Sequence, residues 1–76
     1  MGELEAIRTF LTVADQSSFS AAARLLGMTP ASVTRTVSGL EEQLGVQLLL
    51  RTTRKVSLTS AGAAYAARVA PLAEGL

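Results

Sequence analysis

Apolar residues near the start of the chain recur at Leu4, Ile7, Leu11 and Ala14, with Phe10 and Val13 widening the stripe. Steps of three and four predict an amphipathic first helix that ends near Gln16. Ser17-Ser18 breaks the pattern, and either Ser18 or Ser20 can cap the next helix by accepting from an orphan backbone N–H. Phe19, Ala22, Ala23 and Leu26 mark a short second helix, stopped by Gly27, because glycine takes the left-handed conformation common at helix exits. Met28 and Thr29 alone separate that stop from the next start. Thr29 is a good N-cap, and Pro30 suits the first helical position, where its missing N–H costs nothing. Val33, Val37, Leu40 and Leu44 carry a third helix to about Gly45.

Two short apolar runs follow, Leu48-Leu49-Leu50 and Val56-Ser57-Leu58, around the polar tip Arg51-Thr52-Thr53-Arg54-Lys55. They predict a β-hairpin, although its turn lacks Gly and Asn. Thr59 caps a last, alanine-rich helix in which Pro71 removes one hydrogen bond and should introduce a bend.

The tight connection between helices two and three carries most of the information. In Ala23-x-x-Leu26-Gly27-Met28-Thr29-x-x-x-Val33-Thr34-Arg35-x-Val37, a small Ala23 allows close crossing and Gly27 makes the bend. Met28 and Val33 fill the corner between the helices. This is the pattern of a helix-turn-helix rather than of a plain antiparallel pair. Around the third helix, at ~100° per residue, Ala31, Thr34, Arg35 and Ser38 lie opposite the apolar stripe, and acid waits until Glu41-Glu42. Short side chains let such a helix enter the major groove, while a guanidinium can reach guanine or a phosphate. The free N–H groups at its start favour a phosphate. A hairpin directly after this helix is a wing, whose Arg51, Thr52, Thr53, Arg54 and Lys55 can reach the backbone or the minor groove. Arg51 has an alternative, pairing with Glu41 or Glu42.

Composition sharpens this picture in two ways. The 76 residues carry a net charge of only +1, but residues 1–50 hold three basic and five acidic side chains (−2) and residues 51–76 four basic and one acidic (+3). Three of the four late positive charges fall between Arg51 and Lys55, on the wing. The chain has neither Cys nor His. Disulfides, thiolate metal sites and the commonest catalytic base are thereby excluded. With no Gly-rich phosphate loop and with carboxylates only on helix surfaces, no catalytic residues, metal ligands or cofactor are expected, and an enzyme is disfavoured. Glu3 and Glu5 stand where a signal peptide would be basic, and the longest small-apolar run, Ala61 to Ala67, is too short to span a bilayer. A cytoplasmic, nucleoid-associated protein without a membrane partner is expected.

The chain resembles the amino-terminal domain of LysR-type transcriptional regulators over its whole length. The residues that carry the likeness are Ser18-Phe19 with Ala22-Ala23, Thr34-Arg35, Leu40-Glu41-Glu42-x-Leu44-Gly45-Val46-x-Leu48, Arg51-Thr52-Thr53-Arg54 and Leu58-Thr59-x-Ala61-Gly62. The resemblance implies a bacterial winged helix-turn-helix, a long linker helix that dimerises it, and an effector-binding domain, so the chain is expected to be a fragment or excised domain. Many members carry Gln-Pro where this chain has Pro30-Ala31, which removes a base-reading Gln. Many also have Phe where Leu49 stands here.

The expected fold class is therefore mainly α: a winged helix-turn-helix of three helices and a hairpin over residues 1–58, then a linker helix over 59–76. The expected partner is double-stranded DNA, bound by Ser18, Ser20, Thr29, Pro30, Ala31, Ser32, Thr34, Arg35 and Ser38 together with wing residues Arg51 to Lys55. No small-molecule site is expected in this stretch. A winged helix that binds protein would need an acidic or apolar outer face on the third helix. Tyr65, Val69, Leu72 and Leu76 repeat at four, three and four, the spacing of a coiled-coil seam. They predict a homodimer reading a partly palindromic operator, with higher oligomers open to a full-length protein. The alternative is that the stripe lies on the domain's own core.

Overall fold

The computed structural model describes residues 2–52 and 55–74, with only the backbone at 73 and 74. Element order is α1 (Glu3–Gln16), α2 (Phe19–Leu26), α3 (Pro30–Leu44), β1 (Leu49–Arg51), β2 (Val56–Leu58) and α4 (Ser60–Glu74). The mainly α architecture with one hairpin agrees with the sequence reading.

Each helix boundary has a local cause. Acidic Glu3 and Glu5 in the first turn of α1 complement its dipole, and the helix ends where Ser17 turns left-handed at φ 52°. Ser18, rather than Ser20, caps α2: its Oγ accepts from the Ala21 N–H at 3.1 Å. Gly27, at φ +67°, closes α2 with paired bonds, Met28 N–H to the Ala23 carbonyl (2.9 Å) and Gly27 N–H to that of Arg24 (3.4 Å). Thr29 Oγ1 accepts from the Ser32 N–H at 3.1 Å and starts α3, with Pro30 in its first turn. Gly45 ends α3 at φ +73°, and both Gly45 and Val46 donate to the Glu41 carbonyl.

The three helices and the base of the hairpin enclose one core. Phe10, Val13, Val33, Val37, Leu48 and Leu49 are its largest fully buried side chains. Ala22 and Ala23 are buried where α2 meets its neighbours, and Leu26 and Met28 pack against the cluster. Leu44 departs from the expected stripe. It is 40% exposed, because the last residue of α3 has run past the helices that cover its earlier turns.

The hairpin is antiparallel in the register Leu49↔Leu58, Leu50↔Ser57, Arg51↔Val56. Alternation along β1 puts Leu49 inward and leaves Leu50 exposed. In place of the missing Gly or Asn, Thr52 closes the turn. Its N–H donates to the Lys55 carbonyl (2.9 Å), its Oγ1 accepts from the Lys55 N–H (3.0 Å), and its hydroxyl donates to that same carbonyl (3.1 Å).

Helix α4 is fastened to the base of the hairpin. Thr59 donates its N–H to the Leu48 carbonyl (3.0 Å) and its hydroxyl to the Gln47 carbonyl (2.6 Å), while Thr59 Oγ1 accepts from the Gly62 N–H (2.8 Å). Pro71 does not end the helix, which continues to Glu74. The residues of the expected seam differ in exposure within one chain. Val69 is only 6% exposed within a single chain, and Tyr65 packs on the core with its ring 5.7 Å from that of Phe10. The first turns of α4 fold back over α1 and take half the apolar stripe with them. Leu72 stays 62% exposed, and Leu76 lies outside the described residues.

Candidate nucleic-acid interface

On α3, Ala31, Arg35 and Ser38 are exposed, as are Thr29 and Pro30 at its start, while Ser32 and Thr34 are half-buried. Several hydroxyls are already engaged. Thr29 Oγ1 caps the helix and donates to Ser32 Oγ (3.0 Å), which also accepts from Arg35 Nη2 at 3.4 Å. This chain of contacts draws the Arg35 guanidinium towards the amino-terminal turn of α3. Arg35 also borders a ≈ 500 Å³ groove between α1 and α3, beside Glu3, Gly39 and Gln43. The groove is open and holds no constellation of catalytic type, and no group of metal-ligating side chains occurs among the described residues.

A second groove, of ≈ 230 Å³, lies between the start of α2 and the hairpin. It brings Ser18 and Ser20 together with Thr52 and Lys55, residues that sequence reasoning assigned to one surface from two distant segments. Ser17, Phe19 and Val56 complete its lining. Ser18 spends its hydroxyl on the α2 cap; Ser20 and Lys55 are exposed. Thr53 and Arg54 lie outside the described residues.

Arg51 does not take the carboxylate partner considered for it. Glu41 Oε2 instead accepts from the backbone N–H groups of Leu48 (2.7 Å) and Leu49 (3.1 Å), joining α3 to the first strand. The Arg51 guanidinium lies over the Phe19 ring, 4.5 Å from its centroid. Burying the Glu41 oxygen against two strand donors removes the acid from reach of a guanidinium that projects at the far end of that strand.

Sequence reasoning missed Phe19 and Glu41 as parts of this surface. Phe19 reads as one more apolar residue on a helical stripe, and only the fold shows that its ring meets the wing. Glu41 reads as an acid that could pair with Arg51. Nothing in its spacing signals two orphan N–H donors beyond the helix end.

Comparison with known proteins agrees with this geometry. Residues 4–63 match the family described as bacterial regulatory helix-turn-helix protein, lysR family. An HTH-type transcriptional repressor of Pseudomonas aeruginosa is 52% identical over 65 residues, covering 86% of this chain and 20% of that protein. The chain thus spans about a fifth of the length of this curated relative. Among solved structures, the BenM DNA-binding domain in complex with catB site 1 DNA superposes with a TM-score of 0.92 at 34% identity, covering 97% of this chain and 80% of that one. The CbnR DNA-binding domain–DNA complex gives a TM-score of 0.91 at 34% identity, covering 96% and 84% respectively.

Proposed function

The chain belongs to the lysR family of bacterial regulatory helix-turn-helix proteins, and on that premise we propose that it binds duplex DNA sequence-specifically as the reading head of a transcriptional regulator. One observation carries the proposal. The outward face of α3 presents small or hydroxylic side chains and Arg35, with no acidic residue between Pro30 and Leu40. Short side chains admit the helix backbone to a major groove ~12 Å wide, where a guanidinium can bind O6 and N7 of guanine. The domain over residues 1–58 supplies α3 as recognition helix and Arg51 to Lys55 as wing, and residues 59–76 supply the linker. That the similar solved domains are DNA complexes supports the reading. The work is that of a regulator rather than an enzyme, in the bacterial cytoplasm. No helix among the described residues is long and apolar enough to cross a membrane.

Pairing follows from the distal part of α4. Leu72 is a large apolar residue left exposed on a helix whose earlier turns are covered. A second copy joined there by a two-fold axis would present its recognition helix to a half-site about one helical turn away, or a multiple of it, and read a partly palindromic operator.

The test is fluorescence anisotropy on duplex DNA at two salt concentrations, with sedimentation of the wild type against Leu72→Glu. A charge at buried Val69 would unfold the domain, so the exposed position is the informative one. Binding should fall steeply with salt, and Leu72→Glu should remove paired occupancy of two half-sites. Binding that is absent at low salt, or indifferent to salt, would refute the DNA reading. Unchanged mass and unchanged half-site pairing in Leu72→Glu would refute the seam.

A further inference from the structure

Arg51 is the last residue of β1, and its position is set from several sides. Its cross-strand partner is Val56. The strand is anchored at its start by the Glu41 carboxylate and at the turn by the Thr52 hydroxyl. Opposite it, Phe19 is the first residue of α2, immediately after the Ser18 cap, and its half-buried ring packs against the core. Both backbones are therefore fixed before the side chains meet. The guanidinium then lies over the ring at 4.5 Å. The attraction to the ring is electrostatic and uses up no hydrogen-bond acceptor, so the five N–H donors of the guanidinium can still bond a phosphate. Among the described residues no carboxylate or hydroxyl accepts from those donors. The same ring lines the groove that holds Ser20, Thr52 and Lys55.

We propose that Phe19 is a positioning residue for DNA-backbone binding: its ring holds the Arg51 guanidinium in the orientation that meets a phosphate. The inference rests on the duplex-DNA reading above. A free arginine samples many rotamers and loses that freedom when it binds, whereas one already held over a ring has less to lose. A cation–π contact at an exposed site corresponds to about two- to fivefold in an equilibrium constant. That is the share of affinity assigned to the ring.

A double-mutant cycle on the 76-residue chain tests it, with a random-sequence 30-base-pair duplex as probe so that backbone contacts dominate. Phe19→Leu should weaken binding about two- to fivefold while leaving the salt slope unchanged, because Arg51 still reaches the phosphate once bound. Arg51→Ala should lower the slope by about one, and in that background Phe19→Leu should have no further effect. Phe19→Trp keeps an aromatic face and should restore affinity. In the free protein, the Arg51 δ protons should show an upfield ring-current shift that Phe19→Leu abolishes and Phe19→Trp retains. Equal losses from Phe19→Leu with and without Arg51, or no rescue by Trp, would reduce the ring to core packing and overturn the proposal while the DNA reading stands. A wild type that binds no duplex at low salt would overturn both. Melting curves of each variant, taken alongside, separate lost affinity from lost fold.

Discussion

Gly62 lies in the first turn of α4, and an added Cβ there would sit 1.9 Å from the Leu48 carbonyl oxygen and 2.8 Å from its carbon. Ordinary contact begins near 3.4 Å, so helix and strand base would have to separate by more than an ångström. The obstacle is backbone, and it cannot swing aside. That carbonyl also accepts from the Thr59 N–H, and Thr59 Oγ1 accepts from the Gly62 N–H, so separation breaks the cap of α4 as well. Overpacking costs about 1–3 kcal/mol and a lost cap about 1 kcal/mol, against a helix-propensity gain of about 1 kcal/mol for replacing glycine by alanine. Gly62→Ala should therefore destabilise by about 1–3 kcal/mol, a sizeable part of the roughly 4–11 kcal/mol expected for a domain this size. Its Tm should fall by about 4–24 °C. Gly39 supplies the control. It sits inside α3 with negative φ, and a Cβ there meets nothing within 4 Å, so the same substitution should raise the Tm by about 4–8 °C. Circular-dichroism melts of the two variants decide the matter. A Gly62→Ala melt at or above the wild-type temperature, or a Gly39→Ala loss as large as that of Gly62→Ala, would refute the close-approach argument.

Glu41→Ala removes the acceptor of two strand N–H groups and should cost about 2–3 kcal/mol in urea unfolding, with Glu41→Gln costing less because an amide oxygen remains. Arg35→Ala should weaken binding to a specific site with little change in melting, since Arg35 is exposed and its bond to Ser32 is long. Val37→Ala, at a fully buried position, should cost about 1–3 kcal/mol and affect DNA binding only through that loss. Burial, with Glu3 adding to it, raises the Tyr65 phenol above its ordinary 10.0. The folded state then holds its proton where the unfolded state has lost it. This contribution is complete below pH 10 and is lost as pH rises through the folded value. Tyr65→Phe should flatten part of the alkaline fall in stability, measured by urea titration at stepped pH.

Features legible in the sequence were those whose cause is local. The Ser18, Thr29 and Thr59 caps each act on an N–H three residues on, and Gly27 and Gly45 supply a backbone conformation that other residues adopt at a cost. Three-and-four spacing placed Phe10, Val13, Val33 and Val37 in the core, because a helix repeats itself within a turn. The same spacing could not say what covers a stripe. Tyr65 and Val69 fit a seam between chains as well as a helix lying on its own domain, and only the fold shows that within one chain Val69 is buried and the Tyr65 ring lies against Phe10. Spacing likewise left Glu41 as one acid among several and Phe19 as one more apolar residue. Their partners, the strand N–H groups and the Arg51 guanidinium, arrive from later in the chain. Gly62 shows the limit most directly. In the sequence it is a weak helix residue in an alanine-rich run, and its necessity arises only where the Leu48 carbonyl comes to rest against it. Periodicity encodes the faces an element offers, whereas the distances between faces are set by how the elements pack.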